Sequence, residues 1–463
     1  MDNNKIKWYE TNIDEYLFNT VYNPDSLTEF VPKDKWFKMN LCRGTREGLA
    51  DYDMSYNRDN ILSMVLKEAY GEIEVCRNTV DNHVYIFNRR LVACGGALYP
   101  NIVYVVMEEE DSEDVYQYIP ALNVLRLIRT EKKKKNKVDD KLYFVFTDYY
   151  WRNWPKYKYF GYRLMLVDTG YAMANLSLVL SSLEIEYDFK ISSDYNKRMN
   201  DLLDINCSYE AVEGVIETSD RRIIRAVSEL KQSDKMFEVV DDWDTEPISL
   251  YNVIEKNVLD EEYNISQFVR QEKGFERIKS FNRISPGGGL MISHNQVKNI
   301  KMGSFIKLFG YLRTVFDKIG AGVDIFVYIN NVEGFEPGGY QLKGQKLVMV
   351  KRVNSDTDKY LDLLLRRKNF NLQEIPVLFF VGENRDEVLR KNDINIFKVA
   401  NIKAGFISQL ITYAMCQNDF WTHPILGYEA DIAEKIFERD DMCFLNFIPA
   451  SEVKPLDREC IGY

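Results

Sequence analysis

Apolar positions along this 463-residue chain gather into two kinds of run. The short kind is dense in β-branched and aromatic residues: "NIVYVV" (101–106), "LYFVFTD" (142–148), "IFVYIN" (325–330) and "VLFFVGE" (377–383). Such runs predict buried strands. The long kind, "LVDTGYAMANLSLVLSSL" (166–183) and "NIKAGFISQLITYAMCQN" (401–418), predicts long, mostly apolar helices. Helices mixed with strands place the chain in the α+β class. Between the two sets, "EVVDDWDTEP" (238–247) is acidic and ends in proline, which predicts an exposed linker.

The runs come in pairs. Residues 377–383 resemble 142–148, and 401–418 resemble 166–183, both 235 positions on, with Gly405 answering Gly170. Upstream, "VDIFVYINN…GGYQLKGQKLVMV" resembles "NIVYVVMEE…VYQYIPALNVLRLI" at an offset of 224, so the loop that follows is eleven residues longer in the second half. Each half therefore predicts a polar helical lead-in, a hairpin-like strand pair, a further strand, a buried central helix and a closing strand. The divisions expected are an extension at 1–39, a first domain at 40–235, a linker at 236–262 and a second domain at 263–463. A duplicated chain can fold as one pseudo-two-fold body, as a homodimer would.

Composition narrows the class. Hydrophobic residues make 46% and charged residues 28%, ordinary for a globular protein, while 13% aromatic content favours large cores or aromatic-lined pockets. A net charge of −11 argues against a general nucleic-acid binder. The one basic run, "EKKKKNK" (131–137), reads as a solvated loop or as a site for an acidic partner. The N-terminal stretch "MDNNKIKWYETNIDEY" is polar, so no signal sequence is expected, and without an apolar run of about 18 residues no membrane span is expected. Seven scattered cysteines form no CxxC pair, which fits a reduced cytoplasmic chain without structural zinc. The three histidines, His83, His294 and His423, are too far apart in sequence to suggest a metal site or a Ser-His-Asp triad.

Three segments carry a resemblance. "GGALYPNIVYVV" (95–106), "PKYKYFGYRLMLVDTGYAMANLSLVL" (155–180) and "VEGFEPGGYQL" (332–342) are similar, in the same order, to segments of the SagB/McbC-type flavin dehydrogenases of the nitroreductase superfamily. The resemblance covers most of residues 40–450. It implies an α+β, nitroreductase-like fold duplicated into an intramolecular pseudo-dimer. It also implies an FMN enzyme that oxidises azolines to thiazoles or oxazoles in ribosomally made peptides of thiopeptide or bacteriocin type. A cyclodehydratase complex that makes the azoline would be a separate partner, because no ATP-binding or E1-like motif is recognisable here. No membrane or nucleic-acid partner is expected, and either a monomer or a homodimer is compatible.

The resemblance also nominates residues. FMN needs close backbone approach to its ring, cations and donors for its phosphate, and a dry pocket over N5. The turn Gly95, Gly96, Ala97, Leu98 and Tyr99 suits the ring, and Arg163 matches the family's "YR" dipeptide. "RIKSFNRI" supplies Arg277, Lys279, Ser280 and Arg283 for the phosphate, although its spacing departs from the family's by about one residue. "CRGTREG" offers a compressed version with Arg43, Thr45 and Arg46. "HPILGYEAD" (423–431) resembles a superfamily loop near the ring and nominates Pro424, Leu426 and Gly427. Lys156 and Tyr157 match the family's Lys-Tyr motif and are the expected base, since an ammonium beside a phenol stabilises charge on its oxygen. Lys158 and Tyr159 form a second such pair. Cys94 stands where the family usually has serine, and Phe160 where it has arginine.

The halves are unequally equipped. The Gly95 turn has no counterpart in the second half, and Lys156-Tyr157 correspond to Lys391-Asn392; the Gly427 loop has no counterpart in the first. One composite site, and so one FMN per chain, is the expectation. Two other functions stay open: another flavin reductase, acting on dehydroamino acids or on nitro or quinone substrates, and a non-catalytic scaffold that docks a peptide.

Overall fold

The computed structural model describes residues 9–28, 46–54, 60–80, 83–133, 140–234, 248–260, 264–265, 300, 323–344, 346–366, 370–390, 393–417, 420–452 and 460–462. Two compact units emerge. Met1–Thr11, Thr28–Ile278 and Arg458–Tyr463 form the first; Asn12–Leu27 and Lys279–Asp457 form the second.

The first described helix, α1 (Ile13–Tyr22), belongs to the second unit. The first unit then runs β1 (Ala50–Asp53), α2 (Ile61–Tyr70), β2 (Glu72–Val80), β3 (His83–Arg90), β4 (Asn101–Glu108), β5 (Ser112–Ile119), β6 (Val124–Lys132) and β7 (Lys141–Tyr149). It continues through α3 (Gly161–Ser182), β8 (Asp188–Ser192), α4 (Ser193–Leu202), β9 (Glu210–Thr218), α5 (Arg221–Ser228), α6 (Ser249–Asp260) and β10 (Asn264–Ile265). The second unit contains β11 (Asp324–Ile329), β12 (Gly338–Lys343), β13 (Lys346–Arg352), α7 (Thr357–Leu364), β14 (Val377–Asn384), α8 (Ile394–Gln417), β15 (Phe420–Thr422), α9 (Ala430–Phe437) and β16 (Met442–Glu452). A last strand, β17 (Cys460–Gly462), pairs with β2 in the first unit.

Both main sheets are antiparallel and share one order. The first runs β1-β6-β5-β4-β7-β9-β8-β10 and the second β13-β12-β11-β14-β16-β15, so β6-β5-β4-β7-β9 and β13-β12-β11-β14-β16 are the same five strands twice. Irregularities repeat with them. The register shifts at Val115/Tyr116 between β5 and β6 and at Gly339/Tyr340 between β12 and β13, 224 positions on. It shifts again at Phe146/Thr147 and at Val381/Gly382, 235 positions on. A bulge puts one extra residue in a strand and re-aims the side chains beyond it, so its recurrence at the same offset preserves which residues face the core. The repeat read from sequence is thus a repeat of backbone detail. Its unequal loop is explained too: 133–140 joins β6 to β7, whereas 353–376 carries α7 and a helical turn, Leu372–Glu374.

The central helices form as the long apolar runs predict. α3 is buried on all sides from Gly161 to Ser181, and α8 is buried along most of its length. A helix apolar all round belongs inside a core. Trp154–Ser182 is also long and apolar enough, by composition, to cross a membrane, which corrects the expectation that no such stretch exists; its most apolar window lies entirely inside the protein. α3 presses closely on β9 because position 214 is glycine: a Cβ there would lie 2.5 Å from Met173 Sδ.

One part of the repeat escaped the sequence reading. α1 and α6 also stand 235 positions apart, pairing Ile13 with Ile248 and Tyr16 with Tyr251. Both tyrosines are fully buried. The helix ahead of the first repeat is part of the second unit, and the helix ahead of the second repeat is part of the first. Residues 1–39, expected as an extension, thus contain a helix that answers one in the second repeat's lead-in.

Candidate active site

β3 ends at Arg90, and the chain reaches β4 through the turn that carries Gly95 and Gly96. Cys94 is extended, Gly95–Ala97 make a short helical turn, and Gly96 has φ 65°. Ala97 and Tyr99 also take positive φ, at 55° and 48°. Side-chain-bearing residues adopt that region only when their surroundings hold them there. The holding groups are explicit. The Gly95 N–H donates to Asp168 Oδ1 at 3.0 Å, and the Cys94 thiol donates to Asp168 Oδ2 at 3.2 Å. The Tyr99 N–H reaches Cys94 Sγ at 3.0 Å. Arg152 donates to the Tyr99 carbonyl at 2.7 Å, and the Tyr99 hydroxyl accepts the Arg90 N–H at 3.1 Å. The Arg90 guanidinium lies 4.4 Å from the ring centroids of both Tyr70 and Tyr99. Arg90 and Arg152, with Tyr70, Asn101 and Gln117, line a small cleft.

Asp168 lies on α3, buried at 2% exposure. Burial pushes its carboxyl up to about 7, against the pull of the Gly95 and Cys94 hydrogen bonds. The Cys94 thiol is pushed well up by burial and by the Asp168 charge. Asp168 falls within "LVDTGYAMANLSLVLSSL", but its sequence pattern alone assigns it no role. The available signal was the single acid in this buried, mostly apolar helix.

Lys156 and Tyr157 sit on the helical turn Trp154–Tyr157 that follows β7, with Pro155 in its first turn. The fold brings them to Gly96: a Cβ on Gly96 would lie 2.5 Å from the Tyr157 hydroxyl and collide with Lys156 Nζ. Lys156 Nζ is 5.0 Å from the Tyr157 ring centroid. The second Lys-Tyr pair packs elsewhere, with Lys158 Nζ 5.3 Å from the Trp154 ring and Tyr159 edge-on to Trp154 at 4.7 Å. Phe160 is buried.

The other nominated residues take varied places. Leu98 and Tyr99 are buried, and Arg163, at 1% exposure, is enclosed within α3. In the second unit, Pro424 is half-buried, Leu426 is buried and Gly427 is exposed. A Cβ on Gly427 would meet nothing within 4 Å. Arg277, Lys279, Ser280 and Arg283 lie outside the described residues, as do Arg43 and Thr45. Arg46 is engaged inside the first unit by the Leu203 carbonyl and by Glu210, and its guanidinium lies over the Tyr104 ring. No group of three or more His, Cys, Asp or Glu suited to a metal occurs among the described residues.

No protein-family model matches the chain. No curated protein matches it significantly. Among solved structures, the chain is similar to a candidate nitroreductase from Anabaena variabilis, at 15% identity over 95% of this chain and 99% of that one, with a TM-score of 0.66. Partial matches include a chain of the E. coli microcin synthetase McbBCD complex with truncated pro-MccB17 bound (14% identity, 41% of this chain, 77% of that one, TM-score 0.30). A nitroreductase family protein from Clostridium difficile is another (10% identity, 38% and 82%, TM-score 0.23). The full-length similarity, together with the repeated sheet order, establishes that the chain has a nitroreductase-like α+β fold in tandem.

Proposed function

We propose that this chain is an FMN-dependent oxidoreductase that oxidises peptide azolines to azoles. The observation that carries the reading is the meeting of Lys156 and Tyr157 at Gly96. An ammonium and a phenol converge on backbone that bears no side chain, which fits a flat ligand with acceptor groups. Gly95, Gly96, Ala97, Leu98 and Tyr99 would hold the flavin ring. Arg277, Lys279, Ser280 and Arg283 remain the sequence-level candidates for its phosphate, and Pro424, Leu426 and Gly427 for a further ring contact.

Bound FMN would supply the hydride acceptor for this two-electron oxidation. The chain's own part is to remove the azoline Cα proton. Tyr157 would act as the phenolate, its Oη taking that proton and becoming the phenol, while the Lys156 ammonium beside it stabilises the negative oxygen that makes it a base. Asp168 and Cys94 keep the Gly95 turn in place while this happens. Since this chemistry consumes an azoline, a cyclodehydrating enzyme must supply one.

The test begins with the absorbance spectrum of purified protein and its flavin content. One FMN per chain, bleached anaerobically by a thiazoline-containing peptide and restored by oxygen, is the expected result. A colourless protein that binds no added FMN would overturn the reading. Rapid NAD(P)H consumption with no response to the azoline peptide would replace it with a flavin reductase.

A further inference from the structure

Lys158 follows the Lys156-Tyr157 pair with φ 48° and ψ −133°. That combination is sparsely populated by residues with side chains, so something must hold it. The holding atom comes from α6, a helix of the joining segment. Tyr251 is fully buried, and its hydroxyl donates to the Lys158 carbonyl at 2.9 Å, with the Tyr159 carbonyl at 3.2 Å. The same oxygen accepts the Tyr162 N–H at 2.9 Å, in the first turn of α3, where a helix leaves its N–H groups unpaired. One hydroxyl thus ties the residue after Tyr157 to the start of the central helix. Gly161 lies beside both groups: a Cβ there would stand in ordinary contact distance of the Tyr251 hydroxyl, at 3.5 Å, and of Tyr157 Cβ, at 3.7 Å.

The ring of Tyr251 cannot wander. Tyr150, Trp154 and Tyr159 stand edge-on to it with centroids at 5.0, 6.2 and 6.4 Å, and Tyr162 lies at 5.2 Å. One turn along α6, Glu255 accepts a hydrogen bond from the Tyr162 hydroxyl at 2.8 Å. We propose that Tyr251 is a positioning residue for Lys156 and Tyr157, acting through the backbone at Lys158. This rests on the reading of that pair as the working groups. It also gives the lead-in of the second repeat a task in the first unit, since α6 precedes that repeat in the chain.

Tyr251→Phe keeps the ring and removes the hydrogen bonds of its hydroxyl. Its control is Tyr162→Phe, which removes a buried hydrogen bond of the same network but leaves the Lys158 carbonyl held. The expected result is that Tyr251→Phe lowers kcat on a thiazoline-containing peptide about tenfold, with KM within about twofold and flavin content unchanged, while Tyr162→Phe leaves kcat within about twofold. Equal losses in the two variants would reduce Tyr251 to general packing and overturn the proposal. If the protein proves inactive on azolines, hydrogen–deuterium exchange decides without flavin or substrate. Exchange at residues 153–162 should rise at least about fivefold in Tyr251→Phe, and not in Tyr162→Phe. Unchanged exchange there overturns the proposal whatever the reaction is.

Discussion

α3 and α8 are the same helix twice, and the contacts they make are not. Met173 on α3 meets bare Gly214 on β9; at the repeated positions Ser408 on α8 accepts a hydrogen bond from Asn446 on β16 at 2.8 Å. Asp168 corresponds to Lys403, Thr169 to Ala404 and Asp148 to Glu383. In the first unit Asp148 accepts hydrogen bonds from Asn101 at 2.5 Å and Thr169 at 3.0 Å, and Asp168 holds the Gly95 turn. In the second, buried Glu383 has an oxygen with no hydrogen-bond partner among the described residues. Burial pushes its carboxyl up to about 7, with Lys403 pulling the other way and Glu387 and Asp324 adding to the rise. Strand order and bulges were kept because every inward side chain depends on them. The polar interior was free to diverge, and among the described residues the first unit organises it around the Gly95 turn, over which Lys156 and Tyr157 sit.

The widest gap between the units should appear in catalysis. Tyr157→Phe is expected to lose at least about 100-fold in azoline oxidation, the scale of a removed general base, while keeping bound flavin. Loss of the flavin as well would make Tyr157 structural; full activity would break the contrast with Asn392.

Next in size is a pH effect shared by both units. Asp168 and Glu383 hold their protons to about pH 7 when folded, whereas the unfolded chain releases them near 4. Between those values the folded state binds more protons, so stability falls as pH rises from about 4 to about 7 and then levels. For each group the fall is at most about 4 kcal/mol. Asp168→Asn and Glu383→Gln should each flatten denaturant-derived stability over that window, and the double variant should flatten it most. A single variant whose curve stays parallel to the wild type would remove that residue from the comparison.

Gly96→Ala should be smaller in stability and larger in consequence. Positive φ costs an alanine about 1 kcal/mol, and the new methyl group displaces Lys156 and Tyr157. Reduced flavin affinity and reduced turnover are both expected, with thermal melting changed by only a few degrees. Gly427→Ala should be smallest, within about 0.5 kcal/mol, because its Cβ meets open space. A raised Kd for FMN in that variant would place the loop beside the flavin; an unchanged Kd would take Gly427 out of the site.

Much of this was legible in the amino acids. The paired strands and central helices followed from runs whose period and length allow one reading each, and the offsets of 235 and 224 recur in the bulges. Lys156, Tyr157 and the Gly95 turn, some 60 positions apart in the chain, each stand out in the sequence, while their meeting belongs to the fold. Asp168 and Tyr251 were passed over. A buried acid looks like any helix residue until its partners are in view, and Tyr251 lies in a segment read as linker, where the acidic residues before it drowned the weaker match to Tyr16.

By itself, the sequence determined the α+β class, the duplication and the unequal equipment of the two halves, because hydrophobic period, strand length and glycine placement are local properties. Only the tertiary structure decided that Asp168 carries the Gly95 turn, that Tyr251 holds the residue after Tyr157, and that each leading helix belongs to the other half's unit. The first two depend on a few buried hydrogen bonds between residues far apart in the chain and the third on tertiary packing, and no local pattern records which distant atoms will share a core.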